Sequence, residues 1–113
     1  GSAVECRINA EDDCYLPSPG VISEVIFPGG AGVRIDSHLY AGYRVPHHFD
    51  SLVAKLIVWD RDRPGALRRM QRALDELTIA GIETNKFKLQ KIVSHKKFQD
   101  GDVNTRFLDQ LTG

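Results

Sequence analysis

The chain has 113 residues, enough for one compact domain and too few for two ordinary ones. Its composition, 42% hydrophobic and 27% charged with zero formal net charge, is that of an ordinary soluble globular protein. The longest apolar run, Leu56-Ile57-Val58-Trp59, is four residues, which excludes a helical membrane span, and no secretory pattern opens the chain.

Residues 3–10 alternate, with Val4, Cys6, Ile8 and Ala10 on one face and Glu5, Arg7 and Asn9 on the other. This predicts a half-buried strand whose polar face is unusually charged. Leu16-Pro17-Ser18-Pro19-Gly20 is a rigid turn, because each proline fixes its own backbone and restricts the residue before it. A second strand is expected near residues 21–27, broken by Pro28-Gly29-Gly30-Ala31-Gly32, and a third over 33–40. Residues 52–59 are the most apolar strand, interrupted only by Lys55, so both of its faces are expected to be covered.

The pattern changes near Asp60. Leu67, Met70, Leu74 and Leu77 fall on one helical stripe, with Asp62 placed as cap, Pro64 in the first turn and Gly81 as terminator. A second helix is expected over 85–94, with Leu89, Ile92 and Val93 inward and Thr84 or Asn85 as cap. A short third helix, capped by Asn104, would bury Phe107, Leu108 and Leu111. Strands first and helices second predict a single-domain α+β fold of antiparallel strands with two to three helices packed on them.

Charge is uneven along the chain. Residues 1–60 carry four basic and eight acidic side chains, and residues 61–113 carry eleven and seven. The basic half could coat a nucleic acid, but acidic residues are interleaved and no basic-aromatic signature appears, so solvent faces of amphipathic helices explain it better. Cys6 and Cys14, separated by seven residues, complete neither a zinc site nor a disulfide framework, and a reduced, cytoplasmic protein is the expectation.

Among the polar residues, Arg7 shares a strand face with Glu5 and Asn9. Spacing alone makes this an ordinary solvent face; the functional reading is a planar, permanently charged donor fork aimed at an oxygen. His47-His48-Phe49-Asp50 brings imidazole and carboxylate together, but adjacent residues on an extended segment point opposite ways and no third metal ligand is evident. The glycine loop lacks the Lys-Ser/Thr ending of a phosphate loop and leads into a strand. Lys55 is expected either to pair with a carboxylate or to reach solvent. Ser51 beside Asp50 has no arguable base geometry. These residues by themselves do not reach a reaction.

The ordered string Ala3-Val4-Glu5-Cys6-Arg7-Ile8-Asn9-Ala10-Glu11-Asp12 resembles a hallmark of biotin carboxylases, and Leu16-Pro17-Ser18-Pro19-Gly20 matches the block that follows it. Gly32-Val33-Arg34, Tyr40-Ala41-Gly42, Asp50-Ser51-Leu52-Val53-Ala54-Lys55-Leu56 and Gly81-Ile82-Glu83-Thr84-Asn85 continue in the family's order. The similarity therefore extends over nearly the whole chain, read as a C-terminal domain spanning residues 1–113. The chain departs from the family at Ser2, where a histidine is usual, and at His47-His48-Phe49, a stretch that often carries proline and tyrosine; those histidines are not expected to be catalytic.

The resemblance implies part of an enzyme that carboxylates biotin with ATP and bicarbonate in an ATP-grasp arrangement. It places Arg7 at the biotin-contacting arginine, as catalytic and substrate-binding residue, and Asp50 at a nearby carboxylate that orients or charge-balances it. Gly30, Ala31, Gly32 and Arg34 correspond to a homodimer interface. ATP with Mg2+ or Mn2+ would be bound by preceding ATP-grasp domains, and biotin would arrive on a carrier protein. The fragment alone is expected to bind neither metal nor nucleotide and to be inactive, with no nucleic-acid or membrane partner. It does not resemble the carrier itself, whose biotinyl lysine lies between two methionines, since Gln71 follows Met70, the only methionine. An alternative is a chiefly non-catalytic dimerisation module of the carboxylase.

Overall fold

The computed structural model describes residues 1–12, 14, 16–46 and 52–95. In chain order these form β1 (Ser2–Asn9), β2 (Gly20–Val21), β3 (Glu24–Ile26), β4 (Val33–Ser37), β5 (Arg44–Val45), β6 (Leu52–Asp60), α1 (Arg63–Glu76), β7 (Thr78–Ala80) and α2 (Lys86–Ser94). The α+β class and the antiparallel pairing agree with the sequence reading.

A three-stranded sheet in the order β1-β6-β4 is the platform of the fold. Alternation puts Val4, Cys6 and Ile8 of β1, with Leu56 and Val58 of β6, on its inner face. Helix α1 closes that face with Ala66, Leu67, Met70, Ala73 and Leu74, all buried in one core. Burying a side chain such as Leu74 or Met70 stabilises the fold by about 1.5–3 kcal/mol. Asp62 caps α1 as expected, its carboxylate accepting from the Gly65 amide at 2.8 Å, and Pro64 sits in the first turn.

Four expectations need correction. The strand over 21–27 is two strands, because the chain changes partners between them. The Ile22 amide donates to the Tyr43 carbonyl at 2.8 Å, and the next amide, Ser23, donates to the Ala80 carbonyl at 2.8 Å. β2 thus pairs with β5 and β3 with β7. The strand over 33–40 stops at Ser37, whose hydroxyl donates to the Val53 carbonyl and accepts from the Leu39 amide, turning the chain.

Gly81 does not terminate α1, which ends at Glu76 with Leu77 as its C-cap; β7 intervenes. Gly81 instead takes φ +106 where a Cβ would run into the Val21 carbonyl, so its role is close approach of two backbones. Finally, β6 is not covered on both faces by the described residues: Lys55 and Ile57 are half-buried and Trp59 is 49% exposed. The expected third helix over 104–111 lies outside the described residues.

Candidate functional site

The outer face of the three-stranded sheet gathers the chemistry. In the β1–β6 ladder Arg7 stands opposite Lys55, and Glu5 opposite Ile57. In the β4–β6 ladder Asp36 stands opposite Lys55, and Arg34 opposite Ile57. Cross-strand partners share a face, so Arg7, Lys55 and Asp36 make one row and Glu5, Ile57 and Arg34 the next. A cavity of about 340 Å³ opens beside the first row, lined by Asp36, Ser37, His38, Leu52, Val53, Ala54 and Lys55. A larger groove of about 420 Å³, lined by residues that include Leu77, Ile79, Ile82 and Phe87, takes none of its lining from this face.

Arg7 is exposed, and the strand that carries it is held on both edges. Neighbouring residues Cys6 and Ile8 belong to the ladder with β6. On the other edge Asn85 reaches in from just before α2. Its Nδ2 donates to the Arg7 carbonyl at 3.0 Å, and its Oδ1 accepts from the Asn9 amide at 2.8 Å. Its own amide donates to the Asn9 carbonyl at 3.2 Å. Asn85 stands at the N-cap position of α2, yet its side chain makes no capping bond there; Thr84 Oγ1 accepts from the Lys86 amide at 3.4 Å. Of the two caps expected, Thr84 or Asn85, Asn85 holds the cap position without a capping bond, and Thr84 supplies the hydroxyl that accepts from the Lys86 amide.

The glycine loop sits at the other end of the same sheet. The Gly32 carbonyl accepts from the Trp59 amide at 3.0 Å, and the Gly30 carbonyl accepts from the Val33 amide at 3.2 Å. Gly32 has φ +73, where a Cβ would collide with the Arg69 guanidinium and lie 2.7 Å from the Trp59 carbonyl. Arg34 Nε donates to Asp36 Oδ1 at 3.0 Å in an exposed pair. Standard sheet spacings put the Arg7 and Arg34 backbones roughly 12 Å apart on one face. Asp50, His47, His48 and Ser51 lie outside the described residues.

Cys6 is buried under this sheet, and burial, with the Glu5 charge adding to it, pushes its thiol up to about 12. Cys14 is exposed. Among the described residues no three of His, Cys, Asp and Glu gather as a metal site, and no helix is long and apolar enough to cross a membrane.

Sequence reasoning missed Asn85 and the Lys55–Arg7 opposition. Asn85 had one available signal, since it closes the Gly81-Ile82-Glu83-Thr84-Asn85 motif, but its target lies 76 residues earlier in the chain.

Comparison with known proteins fits this arrangement. The family model described as biotin carboxylase C-terminal domain matches residues 5–110. The biotin carboxylase of Haemophilus influenzae is 50% identical over 100% of this chain and 25% of its own length. Biotin carboxylase 1 of Bacillus subtilis is 47% identical over 96% of this chain and 25% of its own length. Among solved structures, the Campylobacter jejuni biotin carboxylase in a β,γ-ATP complex superposes with a TM-score of 0.89 at 43% identity, covering 96% of this chain and 24% of that one. The biotin carboxylase domain dimer of Hydrogenobacter thermophilus 2-oxoglutarate carboxylase, bound to ADP, magnesium and bicarbonate, gives 0.90 at 39% identity, covering 98% and 26%. The chain thus spans about a quarter of the length of these relatives. It belongs to the biotin carboxylase C-terminal domain family.

Proposed function

We propose that residues 1–113 are the C-terminal domain of a biotin carboxylase, completing the biotin site of a cytoplasmic enzyme that carboxylates biotin with ATP and bicarbonate. The observation that carries this reading is the setting of Arg7. It is an exposed arginine on a strand held along both edges, and no described carboxylate pairs with its guanidinium. A planar donor fork on a fixed base suits an oxygen that becomes negative during reaction.

Loss of the proton from a ureido nitrogen pushes charge onto the ureido oxygen. Arg7 would stabilise that enolate-like form more than neutral biotin, and such a difference lowers a barrier. Asp50, named by the family resemblance, would orient or charge-balance Arg7. ATP, its magnesium or manganese, and bicarbonate would be held by preceding ATP-grasp domains, and biotin would be presented as a substrate on a carrier. Gly30, Ala31, Gly32 and Arg34 would contribute to a homodimer interface, a reading supported by the dimeric Hydrogenobacter structure.

The test is Arg7→Ala and Arg7→Lys in the full-length enzyme, measured by biotin-dependent turnover, with ATP turnover in the absence of biotin as reference. Losing one oxyanion donor costs on the order of 10²–10³ in rate. Arg7→Lys should recover only part of this, since lysine supplies charge without the planar fork. Unchanged biotin-dependent turnover in Arg7→Ala would remove the assigned role.

A further inference from the structure

We infer that Asn85 is a positioning residue for the biotin reaction, acting through Arg7; this rests on the reading that Arg7 meets the ureido oxygen. Strand β1 is an edge strand of its sheet. Its Arg7 and Asn9 backbone groups point away from β6, because alternate residues of a strand turn their amides and carbonyls to opposite sides. Asn85 occupies that edge as a neighbouring strand would, accepting from the Asn9 amide, donating to the Arg7 carbonyl and donating its own amide to the Asn9 carbonyl.

The clamp falls where the sheet holds β1 least regularly. The β1–β6 register shifts between Ile8 and Asn9, so the ladder alone does not fix the chain leaving Arg7. Asn85 is 7% exposed, the one buried polar residue among those described, and its amide satisfies a donor and an acceptor at once. It is rigidly based, since its carbonyl accepts from the Leu89 amide at 3.0 Å in a helix anchored by buried Ile92 and Val93. The same helix extends the grip, with Lys88 Nζ donating to the Asp12 carbonyl at 3.0 Å and lying 3.8 Å from Glu11.

A long side chain magnifies any tilt of the backbone that carries it. A misplacement of about 1 Å at reacting atoms can cost on the order of a hundredfold in rate. Removing the clamp therefore moves the guanidinium relative to the ureido oxygen without touching either.

The experiment is a double-mutant cycle in the full-length carboxylase: Asn85→Ala and Asn85→Asp, each alone and combined with Arg7→Ala. Asn85→Asp is isosteric, keeping the acceptor for Asn9 but setting an oxygen against the Arg7 carbonyl. We expect kcat/KM for biotin to fall about tenfold or more beyond any change in biotin-free ATP turnover, and no additional loss once Arg7 is alanine. Asn85→Gln, with the same amide on a longer arm, should recover part of the loss. An undiminished biotin reaction overturns the inference, as does an equal loss in both ATP and biotin assays, or a full additional loss in the Arg7→Ala background. If neither Asn85 variant yields folded protein, Asn85 is a folding residue and the inference fails. An unaffected Arg7→Ala enzyme would instead show that the reading of Arg7 itself is wrong, visible without the Asn85 variants.

Discussion

Arg7 and Lys55 stand directly opposite one another on the outer face of the sheet, two cations at facing positions of the β1–β6 ladder. Like charges so placed repel, but Asp36 faces Lys55 from β4, so the repulsion by Arg7 is set against an opposite-charge neighbour in a row beside the 340 Å³ cavity that Lys55 and Asp36 line. Replacing Lys55 with Gln removes the repulsion by Arg7 and the attraction to Asp36 together, so stability should change by no more than a few tenths of a kcal/mol. In the full-length enzyme it should also lower kcat/KM for biotin several-fold, with a weaker salt dependence. Urea unfolding and steady-state kinetics at two ionic strengths check both parts. A loss of stability with kinetics unchanged would mean that Lys55 serves packing alone.

Gly32 is the second position where sequence and geometry make a sharp demand. With φ +73, and with the Arg69 guanidinium and Trp59 carbonyl where a Cβ would go, even alanine must displace something. Gly32→Ala should cost at least about 1–2 kcal/mol, from backbone strain and the disturbed Trp59–Gly32 hydrogen bond. Thermal unfolding should register this as a Tm lower by several degrees. Gly29→Ala is the control, because nothing lies within 4 Å of its Cβ position.

These two sites mark what the sequence could reveal. Local rules were sufficient for β1, whose alternation put Arg7 outward, and for α1, where the Asp62 cap and the Leu67, Met70 and Leu74 stripe are confined to a few turns. They failed wherever the partner was distant. The break after Ile22 exists because Tyr43 and Ala80 claim successive amides, and β7 is a strand only because β3 lies beside it. Asn85 reads as a cap since caps are local, whereas its bonds run to Arg7 and Asn9. Arg7 is visible as an outward charge, but the family resemblance, not spacing, gives it a target.

The two cysteines should behave as opposites. Cys14 is exposed and should react with a thiol reagent in the folded protein, while Cys6 should react only on unfolding. Burial raises the Cys6 pKa from 9.0 to about 12, so the folded state keeps a proton that the unfolded state releases above pH 9. Stability from this group is intact below pH 9 and declines as pH rises from 9 toward 12. Calorimetry of the full-length protein at about pH 8 and about pH 10.5 should show a steeper alkaline loss in the native sequence than in Cys6→Ala. Equal slopes would mean that the thiol is not shielded as described.

Arg34 separates the catalytic reading from that of a dimerisation module. Its pair with Asp36 leaves 65% and 48% of the two side chains exposed, and such pairs contribute about 0–1 kcal/mol. Arg34→Glu should therefore leave the unfolding midpoint of a dilute, dissociated sample nearly unchanged, despite placing two acids side by side. If Gly30, Ala31, Gly32 and Arg34 meet a second copy, the reversed charge should shift solution mass from dimer toward monomer in the full-length protein, and more so at low salt. Because Arg34 and Arg7 share one sheet face, the informative measurement is both quantities on one sample. A monomer that retains biotin-dependent turnover would assign the two arginines separate duties on that face. Loss of turnover together with the dimer would show that the contact between protomers helps hold the sheet that carries Arg7. A dimer unaffected by Arg34→Glu would remove Arg34 from the interface altogether.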